Sequence, residues 1–230
     1  DDLQALTTAQ IQAMQISDLA ALRTDQIQAL TTAQVQALTA AQVYGLTTEQ
    51  VAALTNSALQ ALTTTQIQAM QNTDLASLTA AQIQALSTDQ VVALTTAQVK
   101  ALTLTQIAAM SSAQIAALET ADIVALSSAQ IGAIESADFA ALSTAQLRAI
   151  DVADIPALTT DQLSLLTMAQ ADAFTAAQLA AMSSEQRAEI TTSPLILDLN
   201  GDGAQTLSWR AGTQFDIDGD GDLDTTGWVG

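Results

Sequence analysis

The chain has 230 residues, of which 49% are hydrophobic, only 3% are aromatic and 13% are charged, and its net charge is −19. Five basic residues cannot form the clusters that nucleic acids and anionic membranes require, which argues against both as partners. The absence of cysteine and histidine excludes disulfides, Cys/His zinc sites and Ser-His or Cys-His catalysis on this chain. No apolar run approaches the about 20 residues of a membrane span, so no membrane insertion is expected.

An eight-residue repeat fills residues 1–190. A large apolar residue occupies every eighth position from Leu6 to Ile190, without insertion or deletion. A second apolar column runs from Leu3 at the same spacing until Arg187 takes its place. Eight residues of a continuous α-helix turn the chain by about 800°, which leaves about 80° of drift per repeat. One long helix therefore cannot keep either column on one face, and the pattern also lacks the alternation of a strand.

Most repeats carry a signal that begins a helix. Threonine or serine follows the large apolar residue, and glutamine comes three residues later, as in Thr7–Gln10 and Thr95–Gln98. In this capping box the hydroxyl accepts a hydrogen bond from the third helical amide, and the glutamine oxygen accepts one from the amide of the cap residue. The apolar residues on either side, such as Leu6 and Ile11, form a hydrophobic staple. The sequence therefore predicts a new helix of about one and a half turns in each repeat.

Five repeats depart from this pattern, with Gln, Glu or Asp at the cap position and Asp at the fourth position. They contain the pairs Gln15–Asp18, Gln71–Asp74, Glu119–Asp122, Glu135–Asp138 and Asp151–Asp154. The exchange of long and short side chains predicts that the reciprocal capping bonds are kept with their partners swapped. Descent of the repeats from two ancestral units is the alternative interpretation.

Such short helices are unstable alone and must stack on their neighbours, as the repeats of a solenoid do. The two apolar columns should line the inside, and the Thr, Gln and variable columns should face outward. Pro156 is expected to kink its repeat, because proline removes a helical hydrogen bond. The predicted fold class is mainly α: an α-solenoid of short helices with an eight-residue repeat, plus a small β/loop calcium-binding C-terminal segment.

The composition changes in residues 191–230, which hold seven Asp, no Glu and one Arg. Two stretches within this segment place oxygen-bearing side chains at relative positions 1, 3 and 5 and glycine at position 6. Ca²⁺ takes about six to eight oxygen ligands, and such a loop curls around the ion with glycine at the sharp turn. The candidate calcium ligands are Asp198, Asn200, Asp202, Asp216, Asp218, Asp220, Asp222 and Asp224.

The loops differ from an EF-hand at position 12, where Trp209 and Gly227 replace the bidentate glutamate. The flanking stretches "PLILDL", "TLSW" and "TQFDI" are typical of short strands rather than helices. We therefore expect EF-hand-like loops in a β setting, with the missing ligands supplied by the other loop or by residues beyond Gly230. A solvated cluster of Asp/Gly turns is the alternative interpretation.

The stretches "SPLILDLNGDGAQTLS" and "FDIDGDGDLDTTGWV" resemble a segment of RTX-type proteins exported by type I secretion, among them the iron-regulated RTX proteins. The resemblance implies a calcium-loaded module that is secreted or at the surface of a Gram-negative bacterium. Members of that group usually continue with further Asp/Gly motifs, so the segment is expected to be truncated at its C-terminal end. The repeats resemble Thr/Ala/Gln-rich arrays of giant secreted proteins from Gram-negative bacteria.

In some RTX relatives this segment begins a self-processing module that cleaves an Asp-Pro bond in a calcium-dependent reaction. The matching dipeptide here is Ser193–Pro194, which lacks the attacking carboxylate, so no enzymatic activity is expected. The predicted function is a non-enzymatic structural or spacer region of a large secreted bacterial RTX-like protein that binds Ca²⁺ at its C-terminal loops. The alternative is an adhesive solenoid of a cell-surface adhesin, whose Thr/Gln face would contact a protein or glycan partner.

Overall fold

The computed structural model describes residues 3–191 of the chain. In this range all regular structure is helical, and 3-10 helices cover Leu3–Ala5 and Ile155–Ala157. The α-helices are α1 (Thr8–Ala13), α2 (Ile16–Ala20), α3 (Thr24–Gln28), α4 (Thr32–Ala37), α5 (Ala40–Tyr44), α6 (Thr48–Ala52), α7 (Asn56–Ala61), α8 (Thr64–Ala69), α9 (Asn72–Ser77), α10 (Ala80–Ala85), α11 (Thr88–Val92), α12 (Thr96–Ala101), α13 (Leu104–Ala109), α14 (Ser112–Ala117), α15 (Thr120–Ala125), α16 (Ser128–Ala133), α17 (Ser136–Phe139), α18 (Thr144–Ala149), α19 (Thr160–Ser164), α20 (Met168–Ala171), α21 (Ala176–Ala181) and α22 (Ser184–Thr191). The predicted restart of a helix in every repeat is therefore confirmed over this range, except at residues 3–6 and 151–158, where 3-10 helices replace the α-helix.

Local hydrogen bonds explain where each helix begins and ends. At α12 the Thr95 hydroxyl accepts from the Gln98 amide at 3.2 Å, and the Thr95 amide donates to Gln98 Oε1 at 2.8 Å. This is the capping box that the sequence predicts. At the other end Leu102 adopts extended backbone angles, with φ −60° and ψ 136°, so the chain leaves the helix and reaches the next cap.

The helices stack as a solenoid in which each contacts the third helix along the chain. Examples of this packing are α1 on α4, α4 on α7, α6 on α9 and α12 on α15. Longer-range hydrogen bonds, described below, join repeats that are four apart. One turn of the superhelix therefore contains between three and four repeats. The predicted α-solenoid is confirmed for the repeats.

The two apolar columns form one continuous core. Members of the second column, such as Ile67, Ile115 and Phe139, are fully buried. Members of the Leu column, such as Leu102, are buried along most of the array and partly exposed near its ends. The cap residues and the variable column lie mostly on the outside, as predicted. The prediction that glutamine also faces outward is wrong from Gln34 onward, because Gln98 and its equivalents there are buried.

Glycine lies opposite two irregular repeats, residues 15–22 with Ile16 and residues 151–158 with Pro156. The repeat with Pro156 forms a 3-10 helix instead of an α-helix, which confirms the predicted distortion. A Cβ atom on Gly132 would lie 3.0 Å from the Ala157 carbonyl oxygen of that repeat. A Cβ on Gly45 would lie 2.2 Å from Ile16 Cγ2, closer than any van der Waals contact. Glycine at these positions thus makes room for a neighbouring repeat.

Candidate functional site

The glutamine column contains the most highly connected polar side chains of the described repeats. It comprises every eighth residue from Gln10 to Gln186, except where Asp or Ala stands instead. In the capping boxes the Oε1 atom of each glutamine accepts from the amide of its own cap residue at 2.7–3.0 Å. This bond satisfies one of the unpaired amides at a helix N-terminus. It leaves both hydrogens of the side-chain amide available.

Those hydrogens bind the helix four repeats earlier. Gln106 Nε2 donates to the carbonyl oxygens of Leu75 at 2.9 Å and Leu78 at 2.7 Å, which lie 31 and 28 residues upstream. The same atom of Gln98 donates to Ile67 at 2.8 Å and Met70 at 2.9 Å. The last carbonyls of a helix lack the usual amide donor four residues later. One glutamine side chain therefore completes the start of its own helix and the end of an earlier one.

We call this set of Nε2 bonds a glutamine bridge. The bond to the carbonyl 28 residues upstream measures 2.6–2.9 Å and is made by Gln34, Gln42, Gln50, Gln66, Gln82, Gln90, Gln98, Gln106, Gln114, Gln130, Gln146, Gln162, Gln170, Gln178 and Gln186. Because the bridge consumes both amide hydrogens inside the solenoid, the bridging glutamines are unavailable to an external ligand.

Three of the five repeats with aspartate at this position make a different contact. Asp74 Oδ1 accepts from Thr48 Oγ1 at 2.7 Å, and Asp154 Oδ1 accepts from Ser128 Oγ at 2.5 Å. Asp138 is bonded by Ser112 in the same way, and each donor lies 26 residues upstream. Asp74, Asp138 and Asp154 thus accept from a hydroxyl three repeats earlier, where glutamine would donate to a helix end four repeats earlier.

The predicted exchange of capping partners is largely wrong. Asp122 Oδ2 accepts from the Glu119 amide at 3.2 Å, which keeps one half of the box. No capping bond from the side chain is found at Gln15, Gln71 or Glu135. Gln71 instead donates to the Tyr44 carbonyl oxygen at 3.0 Å, so its long side chain forms a hydrogen bond with the C-terminal end of α5.

Charged side chains of the repeats form few contacts with one another. In the described part of the chain one ion pair is found, in which Arg23 Nε lies 2.9 Å from Asp25 Oδ1. The hydrogen bond from Arg23 lowers the pKa of the Asp25 carboxyl, and the same bond raises the pKa of the guanidinium. Both side chains are exposed, so solvent screens the pair and it adds little stability.

A shallow groove on the outer surface has a volume of about 440 Å³ and lies between Tyr44 and residues 68–73. Tyr44 is the single tyrosine of the chain, and 59% of it is exposed. The amide side chains of Gln68 and Asn72 line the groove with it, and no charged residue does. The groove is the place on the described surface where an aromatic ring and amides meet.

The predicted calcium ligands of both loops, Asp198 to Asp202 and Asp216 to Asp224, lie outside the described residues, as does Ser193–Pro194. Among residues that the structure describes, no three Asp or Glu side chains are grouped closely enough to hold a metal ion. In the same range no helix has the length and apolar character needed to cross a membrane. The calcium site therefore stays a prediction from sequence.

Comparison with protein-family models identifies the repeats. The ALTTAQ repeat model matches five times, at residues 1–32, 27–56, 67–104, 104–134 and 131–168, which together cover more than half of the 230 residues. The search of curated proteins found no match. The matched units coincide with the helices that begin at capping boxes and are tied together by glutamine bridges. The chain belongs to the ALTTAQ repeat family.

Proposed function

We propose that the repeat array is a structural spacer of a large secreted bacterial RTX-like protein, and that residues 191–230 bind Ca²⁺. The observation that supports the spacer role is the glutamine bridge. It uses the most regular polar column of the repeats for internal bonds, while cap hydroxyls such as Thr95 and Ser127 bond their own helices. A repeat whose polar groups stabilise the stack itself is suited to extending a chain rather than to chemistry.

Shortening the array by four whole repeats tests the spacer role. A chain that lacks residues 79–110 keeps a partner for each remaining glutamine, because deletion of 32 residues preserves the register. Its maximum dimension in small-angle X-ray scattering should fall by about 8–10 Å, the thickness of one helical layer. Helical circular dichroism per residue in the array should stay the same. An unchanged dimension would show that the array does not set length.

The adhesive alternative requires a surface group that capping and bridging leave free, and the exposed ring of Tyr44 beside Gln68 is such a group. Aromatic rings that expose a face next to amide groups are suited to a neutral polar ligand such as a glycan. Glycan binding by the full chain that disappears on Tyr44→Ala would favour adhesion over the spacer. Absence of such binding would leave the groove without a role.

Calcium binding has its support in the spacing of the oxygen side chains, and titration calorimetry on the full chain tests it. We expect Ca²⁺ to bind with a measurable heat, which the Asp218→Ala and Asp220→Ala variants each reduce or abolish, because positions 3 and 5 of the loop supply ligands. Asp25→Ala is the matched control, since it removes an exposed carboxylate within the repeats. No heat with the unaltered chain, or equal losses in the control, would refute the site.

A further inference from the structure

Asp74 is a buried carboxylate with one oxygen that lacks a partner. It stands at the glutamine position of its repeat, and 1% of it is exposed. Its Oδ1 atom accepts from Thr48, but no hydrogen bond to Oδ2 is found. An acceptor withdrawn from water without a donor is unfavourable, so a group that donates to Oδ2 would stabilise the fold.

A second acceptor in the same layer lacks its donor. In the repeats with a glutamine bridge, the carbonyl 28 residues upstream accepts from Nε2, and Leu78 accepts in this way from Gln106. For Asp74 the equivalent oxygen belongs to Leu46, which is 4% exposed. No hydrogen bond to it is found among residues 3–191. The Val43 carbonyl differs, because it accepts from the Leu46 amide at 3.3 Å.

We propose that one water molecule binds between Asp74 Oδ2 and the Leu46 carbonyl oxygen, at the place that the glutamine amide nitrogen takes in other repeats. Two acceptors require two hydrogens, and one water supplies both. Aspartate is one methylene shorter than glutamine, so its side chain reaches less far toward the carbonyl. A water donates to a carbonyl at about 2.8 Å, which is the length that the glutamine bridges show. The site therefore reproduces a bridge with a carboxylate and a water.

The ligand is water rather than a metal ion because of the ligand number. Ca²⁺ takes about six to eight oxygens, whereas Asp74 Oδ2 and the Leu46 carbonyl provide two. A buried water typically makes about two to four hydrogen bonds, which these two acceptors begin to supply. A bound cation is the alternative that the experiment must distinguish.

The repeat with Ala58 provides a control within the same molecule. Ala58 also replaces glutamine, and it leaves the Leu30 carbonyl without a bridge. It brings no second acceptor, so a water at Leu30 would have fewer polar partners than a buried water needs. We therefore expect a bound water at the Leu46 carbonyl and none at the Leu30 carbonyl.

Crystallography and melting temperatures of the full chain test the site. We expect electron density within hydrogen-bonding distance of both Asp74 Oδ2 and the Leu46 carbonyl, and contacts of that density near 2.8 Å. The double variant Gln71→Thr/Asp74→Gln restores the common box, so its new amide should displace the water and raise the melting temperature by about 2–4 °C. Gln114→Asp, with Thr88 and Leu86 at the matching upstream positions, should create a second water site.

Three results would overturn the proposal. The first is the absence of density near both atoms. The second is density with the short contacts of a metal ion, together with a melting temperature that depends on the cation supplied and loses that dependence in the double variant. The third applies when crystals do not form. NMR should then show magnetisation transfer from a long-lived water to the amide protons next to Leu46. Absence of this transfer, or its survival in the double variant, refutes the site. The proposal does not depend on the spacer role.

Discussion

Gln98→Glu is expected to lower the free energy of unfolding by about 3–5 kcal/mol. The substitution keeps the size of the side chain and the oxygen that accepts from the Thr95 amide. It removes the hydrogens that bind the Ile67 and Met70 carbonyls, and it places an acceptor against them. Because Gln98 is 1% exposed, water cannot replace those bonds. Urea unfolding followed by circular dichroism measures the loss.

The pH dependence of this variant distinguishes the loss of the amide donor from a change in the shape of the side chain. Burial among carbonyl oxygens raises the folded-state pKa of the new carboxyl above the value of about 4.3 that it has when unfolded. Because the folded pKa is raised, the loss in the free energy of unfolding is smallest below about pH 4, where the carboxyl is protonated in both states. The loss grows as pH rises and is complete above the folded pKa. Gln84→Glu is the matched control, because Gln84 is exposed in the variable column. Equal losses in both variants would disprove the bridge.

Deletion of Ala108 alone is expected to lower the free energy of unfolding by about 3–5 kcal/mol, more than deletion of the entire repeat 103–110. Removal of one residue from α13 prevents Ile107 and Met110, both buried, from reaching the core together. Removal of eight residues is removal of one whole repeat, so each later glutamine still faces a carbonyl at the equivalent position of an earlier repeat. We expect that larger deletion to lower stability by only about 1–2 kcal/mol, which is the share of one repeat.

Urea unfolding of the two deletion variants, side by side with the unaltered chain, measures the difference. Ala108→Gly is a further control, because it weakens the same helix by about 1 kcal/mol without moving the register. If the eight-residue deletion proves at least as harmful as the single one, the strict spacing of the columns does not govern the fold.

Much of the fold follows from residues that act locally. Thr95 and Gln98 show a capping box, Ile107 and Met110 show the two apolar columns, and Pro156 shows where a repeat is distorted. These signals concern one repeat at a time, and the structure agrees with each of them. The position of Gln98 inside the stack could not be obtained in this way, because a capping box specifies the oxygen of the amide and leaves its nitrogen undetermined.

One signal in the sequence does point to the bridge. A capping box accepts glutamate as readily as glutamine, yet glutamate never occurs in the glutamine column between Gln10 and Gln186. A requirement for the amide hydrogens explains that preference. The identity of their partners depends on the number of repeats in a superhelical turn, which periodicity along the chain does not reveal. The role of Asp74 was hidden for the same reason, since its donor Thr48 lies 26 residues away.

A turn that contains between three and four repeats has a consequence for whatever follows the array. Each added repeat rotates the exit of the chain about the solenoid axis by roughly 90–120°. The axial advance of one repeat is only a fraction of a helical layer, about 2–3 Å when the layer is about 8–10 Å thick. Relatives that differ by a single repeat would thus present their next segment in a different direction at nearly the same distance. The number of ALTTAQ units sets orientation more strongly than it sets reach.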